Sequence, residues 1–449
     1  MTTRQTIGAL AGALLVAGCG LLDTQQPNII DPGTLNSPAG AEALRTGALA
    51  DFAFVKDGDG STFADGLILV GGLLTDEFVL STTPPSEQEV DQRTTALINP
   101  SLSDVYRNLH KARAGAELAA ESLEKYLVDP TATPEVAEMQ SIAGFTYLYF
   151  GEDFCSGVPF GRVRGDSITF GQPQTTTEIF NTALAKFDSA LAHPGLQNDD
   201  GSITNLALVG RARALLDLGL YTDAADAASL VPTDFRYDTE HADSPTRLQN
   251  AIFVYTNSGL WSVAESEGSN GLPYLSALDP RVPVDSLDDD GDGFADPGLN
   301  GQTPQYNLLK YPDASASVPV ADGVEARLIE AEALLQAGNR GGMTAILNNL
   351  RQTAIDPALP NLATPGTQAA ATDLLFSERA FWLFATGHRL GDLRRLIRVY
   401  GRDAETVFPT GDYFRGANAV GVYGTDVNLP IPVEEQNSPN GGTCLDRNA

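Results

Sequence analysis

Residues 377–395 read SERAFWLFATGHRLGDLRR, and they predict two consecutive helices. Apolar residues recur there and just upstream at the spacing of a helical stripe, which favours a helix over Ala370–Thr386. Gly387 is expected to end that helix, because glycine readily adopts the backbone geometry in which helices terminate. The apolar face of a second helix follows at Leu390, Leu393, Leu396 and Ile397.

The same stretch carries side chains that are too polar to be buried singly: Glu378, Arg379, His388, Arg389, Asp392, Arg394 and Arg395. A buried charge is tolerated when it is paired and hydrogen-bonded, and it is costly otherwise. We therefore predict a buried ion-pair network that locks the two helices together, in preference to a catalytic site.

This block is followed by LPIP at 429–432 and by EEQNSP at 434–439. The order and spacing of the two blocks resemble the C-terminal signature of the SusD/RagB family, whose members are outer-membrane nutrient-binding lipoproteins that work with TonB-dependent transporters. The resemblance implies a mainly α fold in which several tetratricopeptide-type helix pairs pack against an irregular, loop-rich region with short strands. It also implies a capture protein and not an enzyme.

Helical periodicity recurs in pairs along the rest of the chain, after a first helix that the resemblance puts near Ala41–Phe54. Residues 211–224 and 326–351 resemble tetratricopeptide turns, in which small residues let two helices approach closely. The resemblance implies that this side of the molecule contacts the transporter. Helices are predicted over Asp104–Lys125, Pro134–Phe150, Thr177–Ala192, Ile203–Leu218 and Thr222–Leu230.

Between residues 231 and 320 the helical pattern stops, and Pro, Gly, Asp, Asn and Ser predominate. We predict loops and short strands there, with short apolar runs such as Ala251–Tyr255. A long irregular segment in a compact protein is usually functional, and the resemblance implies that it builds the ligand surface. The predicted organisation is one unit over 19–449, with helical pairs at 41–230 and 321–400, a ligand-side segment at 231–320 and a closing segment at 401–449.

The N-terminus predicts a lipoprotein. Residues 1–18 combine an early positive charge with an apolar run that suits a secretory signal and is too short to span a bilayer. Val16-Ala17-Gly18-Cys19 is a good bacterial lipobox, so Cys19 is the expected lipidation site. An ordinary signal peptide with a chance cysteine is the alternative. We expect an outer-membrane protein that faces the cell surface and is attached to the membrane through this lipid only.

Composition excludes several classes of function. A formal charge of −30 argues against nucleic-acid binding and against attachment to an anionic membrane through basic patches. The sequence contains none of three common enzyme signatures: Gly-x-Ser-x-Gly, a phosphate loop and H-E-x-x-H. A glycosidase needs only two carboxylates, and the 58 acidic residues leave that alternative open.

The sharpest local motif is DDDGDGFAD at 288–296. Its residues match the start of a calcium loop, with oxygen ligands at Asp288, Asp290, Asp292, Phe294 (through its carbonyl) and Asp296. The twelfth position is Leu299, where a bidentate Glu is usual. We predict a structural Ca²⁺ ion, and a solvated acidic loop is the alternative.

Two further groups of residues are candidates for a defined role. Cys155 and Cys444 are the cysteines left after Cys19, and an exported chain favours a disulfide between them, with two free thiols as the alternative. The aromatic residues of the irregular segment, Tyr255, Trp261 and Tyr274, are candidates for stacking on a sugar, although ordinary packing is the simpler role for any one of them.

Three functions remain in competition. The first is a surface lipoprotein that binds a nutrient oligomer, a glycan in preference to a peptide, and delivers it to a TonB-dependent transporter. The second is a tetratricopeptide-type scaffold that binds protein partners. The third is a surface glycoside hydrolase, against which the 377–395 block already argues.

Overall fold

The computed structural model describes residues 35–61, 65–164, 167–288, 291, 293–415, 419–445 and 447–449. The described chain is mainly helical, with short two-stranded ribbons between and beside the helices. This architecture confirms the predicted fold class. The helices are α1 (Pro38–Asp57), α2 (Leu67–Leu74), α3 (Pro85–Asp91), α4 (Pro100–Tyr126), α5 (Glu135–Asp153), α6 (Thr176–Leu191), α7 (Ser202–Asp217), α8 (Tyr221–Ser229), α9 (Ala251–Asn257), α10 (Gly323–Gln336), α11 (Arg340–Thr353), α12 (Gln368–Trp382), α13 (Arg389–Arg398), α14 (Ala404–Val407) and α15 (Val433–Gln436).

The strands form antiparallel pairs of two to five residues. The pairs are β1–β7, β2–β5, β3–β4, β6–β10, β8–β9 and β11–β12. The strands are β1 (Phe78–Leu80), β2 (Val158–Pro159), β3 (Arg162–Arg164), β4 (Ser167–Thr169), β5 (Pro173–Gln174), β6 (Arg236–Thr239), β7 (Trp261–Val263), β8 (Val284–Ser286), β9 (Tyr306–Leu308), β10 (Val318–Asp322), β11 (Asp412–Phe414) and β12 (Val420–Val422).

Helices α4 to α8, together with α1, α10 and α11, form one helical array in which neighbours in the chain mostly pack against each other. Side chains of the flanking residues fix where several helices begin. Asn99 accepts a hydrogen bond from the backbone of Leu102 at the start of α4, and Thr175 with Glu178 forms a capping box at the start of α6. Each such cap stabilises its helix by about 1 kcal/mol.

Small residues allow the close packing that the tetratricopeptide-type turns require. A Cβ atom at Gly210 of α7 would lie 2.2 Å from the ring of Phe187 in α6, and one at Gly144 of α5 would lie 2.7 Å from the same ring. A larger residue at either position would push these helices apart. Gly219 and Gly338 end the first helix of each turn with positive φ angles of 75° and 74°.

The two helices predicted from residues 377–395 are present, but the first ends earlier than expected. Helix α12 stops at Trp382, and the chain then turns through Ala385, whose φ is 55°, before Gly387. Tertiary contacts hold this turn, because Lys310 and Tyr311 donate hydrogen bonds to the carbonyls of Phe384 and Ala385 at 2.7 and 2.8 Å. Helical periodicity carries no information about such contacts.

Most of the charged residues of this stretch form the predicted buried ion pairs. Arg379 of α12 makes a bidentate pair with Asp392 of α13, both contacts being 2.8 Å, and Arg395 reaches both Asp392 and Glu332 of α10. Burial alone would raise the pKa of Asp392, but Arg379 and Arg395 hold it below its ordinary value. The network therefore joins α10, α12 and α13. Arg394 is outside it and donates instead to the backbone carbonyls of Gly151 and Glu152.

The irregular segment contains one helix that the sequence analysis did not predict. Residues 251–257 form α9, although the apolar run Ala251–Tyr255 suggested a loop or strand. Asn250 caps this helix by accepting a hydrogen bond from the Phe253 backbone at 3.2 Å. The prediction was wrong here because a short apolar run has the same composition in a buried helix as in a strand.

The closing segment is fastened to the helical body at several points. In the structure, Cys155 and Cys444 form a disulfide with Cα atoms 5.5 Å apart, and the Cys155 backbone donates to the Leu429 carbonyl at 2.9 Å. Arg93, which is buried, donates to the carbonyls of Pro409 and Asp426 at 2.6 and 2.8 Å. None of the described helices is both long enough and apolar enough to cross a membrane.

Candidate functional site

The three aromatic residues expected to stack on a sugar are core residues. Tyr255, Trp261 and Tyr274 expose 3%, 1% and 0% of their surfaces. Trp261 meets Tyr255 edge-to-face at 5.4 Å, and Tyr274 packs against Phe384 at 4.7 Å. A ring must present a face to bind a sugar, so the ligand-binding prediction was wrong for all three. Their burial follows from size, because large apolar rings in a loop-rich region provide most of its core.

The irregular segment nevertheless forms an open cleft of about 540 Å³, which we call the loop-side cleft. Its floor is apolar, with Val79 of β1 and Val263 of β7. Tyr306, a half-buried aromatic residue, forms part of the wall. The remaining lining residues are Glu265, Glu267, Leu275, Ser276, Thr303, Pro304 and Arg415. Larger clefts lie along the helical array, but this one combines an accessible ring, an apolar floor and fixed polar groups.

A buried amide positions the strands beneath the loop-side cleft. Gln305 donates from Nε2 to the carbonyls of Thr256 and Trp261 at 2.6 and 2.9 Å, and its Oε1 accepts from the Ser81 hydroxyl at 2.8 Å. The next residue, Tyr306, donates its backbone N–H to Ser262 Oγ at 2.9 Å. These bonds tie β7, β9 and the end of α9 together, so the Tyr306 ring is attached to a fixed frame.

Arg415 brings the closing segment into the loop-side cleft. Its Nε donates to Asp91 Oδ2 at 2.9 Å, and one terminal nitrogen donates to the Phe414 carbonyl at 2.9 Å. The other terminal nitrogen contacts Glu267 and also donates to the Tyr423 hydroxyl at 3.2 Å. Arg415 thus holds two acidic side chains, one from α3 and one from the irregular segment.

Glu267 is buried, and its ionisation differs from that of an exposed glutamate. Burial raises the pKa of Glu267 to about 7, although the guanidinium of Arg415 opposes the rise. Burial also raises the pKa of Asp91. Two buried carboxyl groups share one guanidinium here, which favours retention of a proton near neutral pH.

Glu265 has a different environment from Glu267, because it is exposed at the mouth of the cleft. Its Oε2 accepts from the backbone N–H groups of Leu275 and Ser276 at 2.8 and 3.2 Å, and its Oε1 accepts from the Ser276 hydroxyl. These bonds fix the carboxylate in one orientation. Because the residue is exposed, its remaining lone pairs are available to accept hydrogen bonds from hydroxyl groups.

Two of the five predicted calcium ligands cannot be compared with the structure. Asp290 and Asp292 lie outside the described residues. Asp288 accepts from the backbone N–H groups of Gly291 and Gly293 at 2.8 and 3.2 Å. The loop is closed at its base, where the Gln305 backbone donates to the Asp296 carbonyl at 2.8 Å. Within the described ranges, no three His, Cys, Asp or Glu side chains gather as a metal site would require.

Sequence reasoning missed the residues that build the loop-side cleft. Tyr306, Glu265 and Arg415 lie far apart in the chain and belong to no motif. Strand alternation gave no signal for Tyr306, because it lies on the same face of β9 as the buried Leu308. No local pattern could bring Arg415 of the closing segment to Glu267.

Comparisons with known proteins agree with this architecture. Residues 325–439 match the model of the SusD family. No curated protein matches the chain at a significant level. Several solved structures share its fold at low sequence identity.

A SusD superfamily protein from Bacteroides vulgatus is 14% identical, with 92% of this chain and 99% of that chain covered and a TM-score of 0.68. The surface glycan-binding protein A from Bacteroides uniformis is 14% identical, with 90% and 99% covered and a TM-score of 0.65. A SusD-like carbohydrate binding protein from Bacteroides vulgatus is 13% identical, with 86% and 88% covered and a TM-score of 0.57. Residues 325–439 thus match the SusD family model, and the chain as a whole shares the fold of these SusD-like structures.

Proposed function

We propose that this protein captures an oligosaccharide in the loop-side cleft. The observation that carries the proposal is an open cleft that combines an accessible aromatic ring with fixed hydrogen-bond acceptors over an apolar floor. Sugar rings present an apolar C–H face and a rim of hydroxyl groups, and this combination complements both. The similar proteins named for carbohydrate and surface-glycan binding support the same class of ligand.

The Tyr306→Ala variant tests the role of the ring. Loss of one stacking ring costs about 1 kcal/mol, which weakens glycan binding about fivefold. Tyr221→Ala is the matched control, because Tyr221 is also half-buried but lies in α8 of the helical array. Affinity would be measured by isothermal titration calorimetry with the glycans that a binding array identifies. Equal losses in the two variants, or no loss in Tyr306→Ala, would contradict the proposal.

The protein acts, in this proposal, as an outer-membrane lipoprotein that presents its ligand to a TonB-dependent transporter. The lipobox at residues 16–19 supports lipidation at Cys19, and the match of residues 325–439 to the SusD family model supports both the membrane and the transporter. The array of α7, α8, α10 and α11 is the proposed transporter contact. Co-purification of a TonB-dependent transporter with the protein from its native envelope tests this part, and failure to recover one would favour the scaffold alternative.

The glycosidase alternative has one observation in its favour, which is that two carboxyl groups line the cleft. Glu267, however, is buried and bound to Arg415, so its side chain is committed to the protein and not to a substrate. We therefore propose binding without turnover. Incubation of the purified protein with each bound oligosaccharide, followed by mass spectrometry of the sugar, should return the oligosaccharide intact.

We also propose that Ca²⁺ binds the loop at 288–296 and makes it rigid. The support is the alternation of aspartates ahead of Gly293, a pattern in which adjacent carboxylates repel unless a cation holds them. The role would be structural, because the loop follows β8 and is closed onto β9 at its base.

A further inference from the structure

The charges of the loop-side cleft carry an inference about which glycans it accepts. We infer that the cleft selects neutral or amino-bearing oligosaccharides and rejects those that carry carboxylate or sulfate groups, with Glu265 as the residue that determines this choice. The inference rests on the proposed function, since it concerns the ligand of the same cleft.

Among the described residues that line the cleft, Arg415 carries the one guanidinium, and this guanidinium is already occupied. Arg415 makes four hydrogen bonds, to Asp91, Phe414, Glu267 and Tyr423. Binding of a carboxylate or sulfate usually relies on an arginine that can offer two parallel N–H donors. To do so here, Arg415 would have to release Asp91 or Glu267, which are buried acidic groups that need it.

Glu265 adds a fixed negative charge to the exposed part of the cleft lining. Its carboxylate is held by Leu275 and Ser276, and among the residues that the structure describes no cation forms an ion pair with it. Near a protein surface, two like charges about 7 Å apart repel strongly enough to weaken binding by a factor of ten or more at low salt. A ligand anion in this cleft meets that repulsion, whereas a neutral hydroxyl group can donate a hydrogen bond to the same oxygens.

The net charge of the whole chain has the same sign as the charge of Glu265. The formal charge of −30 raises the cost of bringing any anion to the surface, and the lining offers no free cation among the described residues to offset it. An amino sugar gains from both terms. For one glycan backbone, we therefore expect the amino-bearing form to bind at least as tightly as the neutral form. The neutral form should bind more tightly than the anionic form.

The experiment compares charge variants of one backbone. Neutral hexasaccharides of glucose, galactose, mannose and xylose, the corresponding uronates and sulfate esters, and deacetylated and acetylated chitohexaose would be screened on an array, and the affinities of binders measured by calorimetry at 20 mM and 500 mM NaCl. We expect the wild-type protein to bind the neutral form at least tenfold more tightly than the anionic form at low salt, with a smaller ratio at high salt.

The Glu265→Gln variant should reduce the ratio of neutral to anionic affinity at least fivefold, while Glu265→Asp should leave this ratio unchanged. Glu124→Gln, which removes an exposed charge of α4 outside the cleft, is the matched control and should leave the ratio unchanged. Tightest binding to uronates or sulfated glycans, or a ratio that does not respond to salt, would overturn the inference without affecting the proposed function. Failure of every glycan to bind would overturn the proposed function, and the inference with it. The salt series uses the wild-type protein and gives a result even if Glu265→Gln does not fold.

Discussion

Glu77, at the entrance to β1, allows a quantitative prediction about stability. Its side chain is 1% exposed, and its Oε1 accepts one hydrogen bond, from the Ala385 backbone at 2.9 Å. No cation in the described part of the chain forms an ion pair with it at contact distance. Burial therefore raises the pKa of Glu77 to about 8, against the smaller opposing effects of the Ala385 hydrogen bond and Arg389.

The sign of the effect follows from proton linkage. The folded protein keeps the Glu77 proton up to about pH 8, whereas the unfolded chain loses it near pH 4.5, so this carboxyl group favours the folded state most below pH 4.5. Its contribution falls by about 1.4 kcal/mol for each pH unit between those two values. Raising the pH from 5 to 7 should thus remove about 2 to 3 kcal/mol from the free energy of unfolding.

Glu77→Gln isolates this contribution, because glutamine keeps the acceptor for Ala385 and cannot ionise. The free energy of unfolding would be measured by urea denaturation at pH 5, 6, 7 and 8 for both proteins. The free energy of unfolding of the variant should rise by about 2 to 3 kcal/mol relative to that of the wild type between pH 5 and pH 7. The new amide can add a difference that is the same at every pH, and this does not affect the trend. Glu178→Gln is the control: hydrogen bonds from Thr175 lower the pKa of Glu178, so its carboxylate is ionised throughout this range and no trend is expected. A wild-type-to-Glu77→Gln difference that stays constant with pH would refute the reasoning.

Four further outcomes are expected. Cys19→Ala should move the protein from the membrane fraction to the soluble fraction, and unchanged fractionation would exclude lipid attachment at this residue. Titration of chelator-treated protein with Ca²⁺ should release heat that Asp290→Ala reduces, and an identical melting temperature with and without chelator would contradict a calcium site. Mass spectrometry of unreduced peptides should find Cys155 linked to Cys444, and alkylation of both thiols in native protein would disprove the bond. Trp261→Ala should lower the free energy of unfolding by about 3 to 5 kcal/mol, and a variant of normal stability would show that this ring is not a core residue.

The sequence predicted the helical part of the fold well, because that part depends on local patterns. The expected helix over Ile203–Leu218 is α7 at Ser202–Asp217, and the one over Thr177–Ala192 is α6 at Thr176–Leu191. Their apolar spacing and caps are contained within the helix and its flanking residues. The predicted pairing of charges in residues 377–395 succeeded for a similar reason, because burying so many charges leaves pairing as the remaining solution.

The candidate site could not be predicted in the same way, because its residues meet through tertiary contacts alone. The error with Trp261 shows the difficulty most clearly. An aromatic residue in a loop-rich segment serves equally well as a ligand platform or as core, and composition does not separate these roles. The role of Trp261 depends on which strand pairs with β7. That strand is β1, which lies about 180 residues earlier in the chain.

The ion-pair network and the loop-side cleft are physically connected, although they are different features of the sequence. Arg389 of α13 makes a bidentate pair with Asp76 at 2.6 and 2.8 Å, and Asp76 in turn accepts the backbone N–H of Leu272 at 2.9 Å. Leu272 lies three residues before Leu275, whose N–H holds Glu265 in position.

A second connection runs through Arg281 of the irregular segment, which donates to Glu378 of α12 at 2.7 Å. The buried charges of residues 377–395 therefore fix not only the helices but also the backbone that orients the polar groups of the cleft. Because this support acts through the backbone, the side chains that line the cleft can differ without disturbing the network. A sequence signature in this region consequently predicts the fold and the frame of the cleft, while the chemistry of the proposed ligand depends on Glu265, Tyr306 and Arg415.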